Sequence, residues 1–114
     1  MSSTFHPHEQ IVYADHPRFA NVRIAVLVAA KEGQPVGVSR LDIAPGTEIP
    51  IHTHDPQVDS IFVVAGCGEA FVNGEWRPIG AGDFVFVPAR EKHGIRNTGA
   101  DRLHLFIHHS PALI

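Results

Sequence analysis

The sequence predicts an all-β protein, built as a sandwich or a barrel of many short strands. The 10 glycines and 9 prolines are spread along the 114 residues, so they interrupt the chain at short intervals. The segments between them are rich in Val, Ile and Phe, which favour strands. No window shows a sustained helical period bounded by caps, apart from a short turn near Pro17–Ala20. Many short strands at close spacing are typical of sandwiches and barrels.

Nine segments are candidate strands, and turn residues separate them. Asn73-Gly74 is the clearest hairpin signal, because both residues tolerate the positive φ angles of a type I′ turn. Pro45-Gly46 and residues 80–83 predict further tight turns. The predicted strands are Arg23–Ala29, Val36–Ile43, Glu48–His54, Asp59–Ala65, Glu69–Val72, Trp76–Ile79, Asp83–Val87, His93–Asn97 and Leu103–His108.

Length and charge exclude several classes of function. We expect residues 1–114 to form one domain, with residues 1–20 as an N-terminal arm or an edge strand. The net charge of −3 gives no reason to expect nucleic acid or an anionic membrane as a partner, and no apolar stretch approaches a bilayer-spanning length. The single cysteine, Cys67, excludes an internal disulfide. The N-terminus lacks the basic and apolar regions of a signal peptide, so the cytoplasm is the expected location.

A cluster of histidines is the strongest functional signal. His52 and His54 are two residues apart on a segment expected to be extended, so both side chains point to the same face. Asp59 follows five residues after His54, and His93 lies on a later predicted strand. Three imidazole nitrogens and one carboxylate oxygen form a ligand set for a divalent first-row transition metal. The sequence therefore predicts a metal site if the four side chains converge.

Each of these residues also has a plainer interpretation. The three histidines are ordinary surface residues if they do not converge. Asp59 is a ligand, an acceptor for a ligand histidine, or a solvated strand residue, and Gln57 is a rival ligand if the loop register differs. We expect each ligand histidine to donate its second ring nitrogen to a nearby acceptor. Asp55, Gln57 and Asn97 are the candidates for that acceptor.

Two spaced sets of residues resemble the two motifs of the cupin superfamily. The first is Gly46, His52, His54, Asp59 and Gly66, and the second is Gly82, Pro88, His93 and Asn97. The resemblance spans residues 46–97 and implies a small single-domain cupin, a double-stranded β-helix or jelly-roll barrel. It also implies a homodimer, since small cupins often pair through edge strands. Two positions depart from the pattern: Asp59 stands where Glu is usual, and Arg90 where Gly is usual.

The resemblance implies a metal-dependent enzyme that acts on a small organic metabolite, with dioxygenase or isomerase chemistry. The ligand types favour one divalent transition metal per chain, which is Fe, Mn, Ni, Co, Cu or Zn. The alternative is a non-catalytic small-ligand-binding or sensor cupin in which the metal is structural. His52, His54 and His93 would be the nitrogen ligands. Asp59 reaches about 1.5 Å less far than Glu, so it could ligate directly, through a water, or not at all.

Other side chains are weaker candidates. The last predicted strand places His104 and His108 on one face and His109 on the other. One of these could line the pocket mouth as an acid or base, and otherwise they form an exposed face or a dimer edge. We further expect five phenylalanines in the core or between the sheets: Phe62, Phe71, Phe84, Phe86 and Phe106. The surface histidines are expected to be His6, His8 and His16. Arg96 is expected to point outward.

Overall fold

The computed structural model describes residues 3–114, which form ten strands and two short 3₁₀ turns. Residues 1–2 of the predicted arm lie outside the described residues. The described part of the chain contains no helix long and apolar enough to cross a membrane. The 3₁₀ turns are His8–Gln10 and Ala30–Glu32. The strands are β1 (Ala14–Asp15), β2 (Val22–Val28), β3 (Gly37–Ile43), β4 (Glu48–His52), β5 (Val58–Ala65), β6 (Cys67–Val72), β7 (Glu75–Gly80), β8 (Phe84–Val87), β9 (His93–Arg96) and β10 (Leu103–Ser110).

The strands form two antiparallel sheets around one aliphatic core. The larger sheet has the order β1-β2-β3-β10-β5-β8, and the smaller has the order β4-β9-β6-β7. Buried and less buried residues alternate along β3 and β10, so one face of each strand points between the sheets. Both sheets contribute to the core, and the all-β prediction is confirmed. The core includes Ile43, Val63, Leu103 and Leu105 from the larger sheet and Ile49, Ala70 and Ile95 from the smaller.

All nine predicted strands are present, with ends that differ from the prediction by at most two residues. Two of these differences bear on the site. β4 ends at His52, so His54 lies in the loop after the strand and not on it. β10 runs two residues further than predicted and therefore includes His109. Ahead of the predicted strands, β1 pairs with β2 at the edge of the larger sheet.

A β-bulge in β4 turns His52 toward the core. Ile49 pairs with Ile95 and His52 pairs with His93, so three steps along β4 oppose two steps along β9. The extra residue shifts the alternation of side chains, and Ile49 and His52 both line the space between the sheets. Pro50 lies inside this bulge, where the ladder is already interrupted and its missing N–H is tolerated.

Four of the phenylalanines predicted for the core lie instead on the outer face of the larger sheet. Phe62, Phe84, Phe86 and Phe106 are between 40% and 60% exposed. Phe106, Phe62 and Phe84 are successive cross-strand partners on β10, β5 and β8. The prediction is wrong because residues of the opposite parity, such as Ile61 at 3% exposed, take the inward positions. These strands therefore carry apolar side chains on both faces.

Asn97 ties together the loops at one end of the molecule. It is 2% exposed, and its Nδ2 donates to the backbone oxygens of Ile43 at 2.9 Å and Asp101 at 2.8 Å. Its Oδ1 accepts from the backbone N–H of Gly99 at 2.9 Å. Both ends of the amide therefore serve the backbone, and Asn97 is not the acceptor for a ligand histidine that the sequence allowed.

Arg90 has a left-handed backbone conformation, with φ of 70°. This region favours glycine, which agrees with the family preference at this position. The N–H of Arg90 donates to the carbonyl oxygen of His54 at 2.9 Å. The strained turn thus anchors the loop that carries His54.

Gly66→Ala should destabilise the fold more than Gly74→Ala. The φ angles are +87° and +82°, so each alanine incurs backbone strain of about 1–2 kcal/mol. A Cβ on Gly66 would also lie 2.5 Å from the carbonyl oxygen of Arg102, whereas a Cβ on Gly74 would meet nothing within 4 Å. We expect the Gly66 variant to lose about 1–3 kcal/mol more in free energy of unfolding, measured by urea denaturation. Equal losses would contradict the steric account.

Candidate metal centre

Three histidines from two strands and a loop converge at one end of the core. His52 ends β4 and His93 begins β9, and the two are direct cross-strand partners. Ring centroids are 4.3 Å apart for His52 and His93 and 4.9 Å apart for His54 and His93. One ring nitrogen from each of the three lies within 4.8 Å of the other two. The structure therefore brings together the histidine trio that the spacing indicated.

Backbone carbonyl groups set the tautomer of all three rings. In each case Nδ1 lies at hydrogen-bond distance from a carbonyl oxygen close by in the sequence. A carbonyl oxygen only accepts, so each Nδ1 carries the proton and donates it. Nε2 of a neutral ring is then the unprotonated nitrogen that can bind a metal. The pairs are His52 with Pro50 at 2.7 Å, His54 with Gln57 at 3.2 Å and His93 with Glu91 at 3.0 Å.

The acceptors for the histidines thus differ from the expected ones. The sequence suggested the side chains of Asp55, Gln57 and Asn97, but backbone oxygens fill this role, and only Gln57 takes part, through its main chain. A main-chain acceptor leaves no signal in residue type. Only the local path of the chain, including the bulge in β4, brings these oxygens to the rings.

Asp59 joins the histidines from the opposite sheet. It lies on β5 and is 4% exposed. Its Oδ2 lies 3.0 Å from Nε2 of His54 and 3.0 Å from Nε2 of His93. The short aspartate side chain therefore reaches the same nitrogen atoms that are available for a metal.

Two buried atoms of this cluster have no hydrogen-bond partner among the described residues: Nε2 of His93 and Oδ1 of Asp59. Nε2 of His93 lies 3.0 Å and Nε2 of His109 lies 2.6 Å from the Asp59 carboxylate, but neither pair has the geometry of a hydrogen bond. With Nδ1 protonated, Nε2 of a neutral His93 offers a lone pair, and so does Oδ2 of Asp59, which lies 3.0 Å from it. A cation can satisfy lone pairs that share one space, which they cannot do for each other. The residues present therefore fit a metal ion.

His109 completes the cluster from the strand beside Asp59. The two residues are cross-strand partners on β10 and β5, and Nε2 of His109 lies 2.6 Å from Oδ1 of Asp59. The His109 side chain is 13% exposed. The sequence left open which histidine of the last strand reaches the pocket. That histidine is His109, because side chains alternate along β10 and His109 shares its face with Leu105 and Ile107, which are both buried.

Burial and local charge shift three pKa values in this cluster. Burial raises the pKa of Asp59, but contacts with His109 and His93 outweigh it and hold this pKa well below its usual range. Burial lowers the pKa of His93, but the contact with Asp59 and a backbone hydrogen bond raise it overall. Burial lowers the pKa of His52 despite its backbone hydrogen bond.

The shifts of Asp59 and His93 both stabilise the metal-free protein, but the two contributions change with pH in opposite directions. Asp59 stabilises the fold above its ordinary pKa and loses this contribution as the pH falls through its depressed folded-state pKa. His93 stabilises the fold below its ordinary pKa and loses this contribution as the pH rises through its raised folded-state pKa. Both contributions to stability are therefore fully present between the ordinary pKa of Asp59 and the ordinary pKa of His93.

The cluster lies in a cavity of about 150 Å³ between the sheets. At its rim, Nδ1 of His16 accepts from the backbone N–H groups of Arg18 and Phe19, and the Phe19 ring lies 6.2 Å from that of His52. The prediction of a surface residue is wrong for His16, which lines the cavity and is partly buried. Beyond the histidines the walls are mostly aliphatic and include Ile24, Leu41, Ile49, Ile61, Ile95 and Ile107, while Arg18, Ser39 and Thr53 add polar groups.

The other candidates lie away from the cavity. Arg96 is paired with Glu69 at 2.7 Å and lies 4.0 Å above the Trp76 ring, so it faces outward as predicted. His104 and His108 have the opposite parity to the buried residues of β10. A wider surface depression beside β7 and β8 contains no histidine. His6 and His8 are exposed, as expected.

Comparisons with known proteins agree with this architecture. Residues 39–109 match the family model described as Cupin domain. A protein described as a predicted oxalate decarboxylase from Thermotoga maritima has 23% sequence identity and a TM-score of 0.85, covering 96% of this chain and 100% of that chain. An RmlC-like cupin from Shewanella frigidimarina has 24% identity and a TM-score of 0.81, covering 97% and 93%. At these identities the likeness establishes the fold alone.

Two curated relatives match part of the chain. An oxalate-binding protein from Thermotoga maritima is 34% identical over 61 residues, which are 54% of this chain and 50% of that protein. The mannose-1-phosphate guanylyltransferase ManC from Salmonella typhimurium is 27% identical over 67 residues, which are 59% of this chain and 14% of that protein. The matches thus span half or less of the length of these relatives.

Metal binding at this cluster should weaken on acidification. Protons compete with a metal for Nε2 of each histidine. The pKa of His93 is raised above the ordinary value of 6.5 in the metal-free protein, so protons compete for this ring at a higher pH than for an ordinary histidine. We expect stoichiometric Zn²⁺ at about pH 7.5 and loss of most of it by about pH 5, measured by equilibrium dialysis with elemental analysis. Full occupancy at the lower pH would argue against a histidine-based site.

Proposed function

The chain belongs to the cupin domain family, and from this premise we propose that it is a metal-dependent enzyme acting on a small organic metabolite. The observation that carries the proposal is the geometry of the histidines. Their Nδ1 atoms donate to backbone carbonyl groups, which frees three Nε2 atoms, and those of His54 and His93 lie 3.0 Å from the carboxylate of Asp59. We assign His52, His54, Asp59 and His93 as ligands of one divalent transition metal per chain, with dioxygenase or isomerase chemistry as the reaction class.

The donor set narrows the choice of metal. Three imidazole nitrogens and a carboxylate suit Fe, Mn, Ni, Co, Cu or Zn better than Mg or Ca, which prefer oxygen ligands. Such an ion polarises bound oxygen atoms or activates dioxygen. The four side chains also line a cavity, so space for a further ligand lies beside them. A closed structural site would lack this space.

The cavity favours a particular kind of substrate. Its volume of about 150 Å³ is smaller than that of drug-binding pockets, so it suits a small metabolite. The aliphatic walls can pack against carbon atoms of the substrate, while its oxygen atoms face the histidine end. The chain thereby supplies orientation at one end of the substrate and desolvation at the other.

A non-catalytic ligand-binding cupin is the alternative. The relative with 34% identity is named an oxalate-binding protein, and oxalate carries oxygen atoms that a metal can hold. In this alternative the cavity holds a ligand without turnover, or the metal is chiefly structural. Metal removal separates these roles: a large fall in Tm without turnover by the loaded protein favours the structural role, and ligand binding without turnover favours the binding role.

His52→Ala should remove activity while the fold is retained. Elemental analysis of the purified protein identifies the metal, and the loaded protein is then screened with small organic acids, sugar derivatives and aromatic metabolites. We expect turnover to fall by at least about 100-fold in the variant, since loss of outer partners alone costs 10–100-fold. His108→Ala is the matched control on the outward face of β10 and should keep full activity. Unchanged turnover in a folded His52→Ala variant would contradict the proposal.

We propose further that two copies of the chain pair through the outer face of the larger sheet. Phe106, Phe62 and Phe84 form a cross-strand row on this face, and Phe86 lies beside it. Contiguous exposed apolar side chains mark protein interfaces. Under two-fold symmetry each copy presents the same patch to the other, so the faces match in chemistry.

We also propose a cytoplasmic location, because Cys67 is the single cysteine and is unpaired, as in a reducing compartment.

The double variant Phe62→Ser, Phe84→Ser should be monomeric, because it removes the centre of the apolar row. The wild-type protein should have twice the chain mass in solution, measured by size-exclusion chromatography with light scattering. Phe5→Ser is the control, since Phe5 is 87% exposed and belongs to the N-terminal segment. Its mass should equal that of the wild type. A monomeric wild-type protein would contradict the homodimer.

A further inference from the structure

We propose that His109 is a positioning residue for Asp59: it holds one carboxylate oxygen so that the other faces Nε2 of His54 and Nε2 of His93. The inference rests on the proposed metal site and adds a residue outside its four assigned ligands. It also explains how an aspartate serves at a position where the family pattern has the longer glutamate.

The two oxygens of Asp59 face different partners. Oδ2 lies 3.0 Å from Nε2 of His54 and 3.0 Å from Nε2 of His93. Oδ1 lies 2.6 Å from Nε2 of His109. The carboxylate is therefore held between two sides, and its orientation depends on the contact with His109. Rotation that moved Oδ1 toward the trio would break this contact.

The pairing of β5 with β10 makes the contact possible. Asp59 and His109 are cross-strand partners, and their side chains point to the same face of the larger sheet. Both side chains are largely buried, at 5% and 13% exposed. Water is therefore mostly excluded, so an electrostatic contact between these two groups is screened less than it would be at the surface. A glutamate would carry its carboxylate further from the strand, past the position that His109 reaches.

An alternative use of His109 is direct ligation, because His54, Asp59 and His109 also form a group whose ligand atoms lie within 4.8 Å of one another. The trio of His52, His54 and His93 is better prepared for this role. Each of its rings has Nδ1 held by a backbone carbonyl. Among the described residues, the one polar side-chain contact of His109 is with Asp59. His109 is therefore placed to hold the carboxylate.

Two substitutions of similar size separate the roles of His109. His109→Leu fills the same space without a donor, and His109→Gln keeps an N–H donor near the same position. Each variant is titrated with Co²⁺, with the dissociation constant and the visible absorption spectrum of the bound ion as readouts. His108→Leu, one residue away on the outward face, is the control and should match the wild type. Circular dichroism melting establishes that each variant is folded.

We expect His109→Leu to weaken Co²⁺ binding about 10–100-fold and to change the spectrum, because the oxygen ligand is no longer held in place. His109→Gln should recover most of the affinity and the wild-type spectrum. A purely structural role for His109 would not give this recovery, because both variants fill the site.

Three results would overturn the inference. Unchanged affinity and spectrum in His109→Leu would show that Asp59 needs no support. Complete loss of binding in both variants, matching His52→Ala, would identify His109 as a ligand. Equal weakening in His109→Leu and His109→Gln, with an unchanged spectrum, would indicate packing alone. In each of these cases the wild-type protein still binds Co²⁺, whereas a wild-type protein that binds no metal overturns the proposed function itself.

Discussion

Polar groups placed inside an aliphatic core are the constraint on which this structure depends. Asp59 and His93 are each 4% exposed, and the interior around them consists of branched aliphatic side chains. A buried carboxylate without partners costs several kcal/mol, so it persists only where other groups satisfy it. Here the polar atoms are gathered at one end of the core. Backbone carbonyl oxygens satisfy the outer nitrogens of three rings, and among the described residues Nε2 of His93 and Oδ1 of Asp59 are left without a hydrogen-bond partner.

Irregular backbone provides this arrangement. Regular alternation along β4 would not place both Ile49 and His52 inside, and the bulge between them achieves it. The loop after β4 carries His54 and is anchored by the N–H of Arg90, which has a left-handed conformation. Two features that cost stability locally, the bulge in β4 and the left-handed conformation of Arg90, thus lie beside the site. The regular parts of both sheets supply the rigid frame.

The sequence predicts two things: the fold, and the convergence of three histidines. The physical reasons for these two predictions differ. Strand positions follow from glycine and proline spacing and from β-branched residues, which act locally. The convergence of His52, His54 and His93 agrees with the two spaced motifs. The phenylalanines of β5, β8 and β10 were mispredicted because both faces of these strands are apolar, so hydrophobicity alone does not identify the inward face. His109 was undecided because its importance comes from its cross-strand partner, Asp59, fifty residues away in sequence. The carbonyl acceptors could not be found at all, since every residue has one.

We propose that one metal ion is held by Nε2 of His52, His54 and His93 together with Oδ2 of Asp59. The most direct test is a crystal structure of the metal-loaded protein, with anomalous diffraction at the absorption edge of the ion. We expect a single anomalous peak about 2.0–2.2 Å from the three nitrogen atoms and from Oδ2. A peak bound by His54, Asp59 and His109 without His52 and His93, or no peak in this cavity, would contradict it.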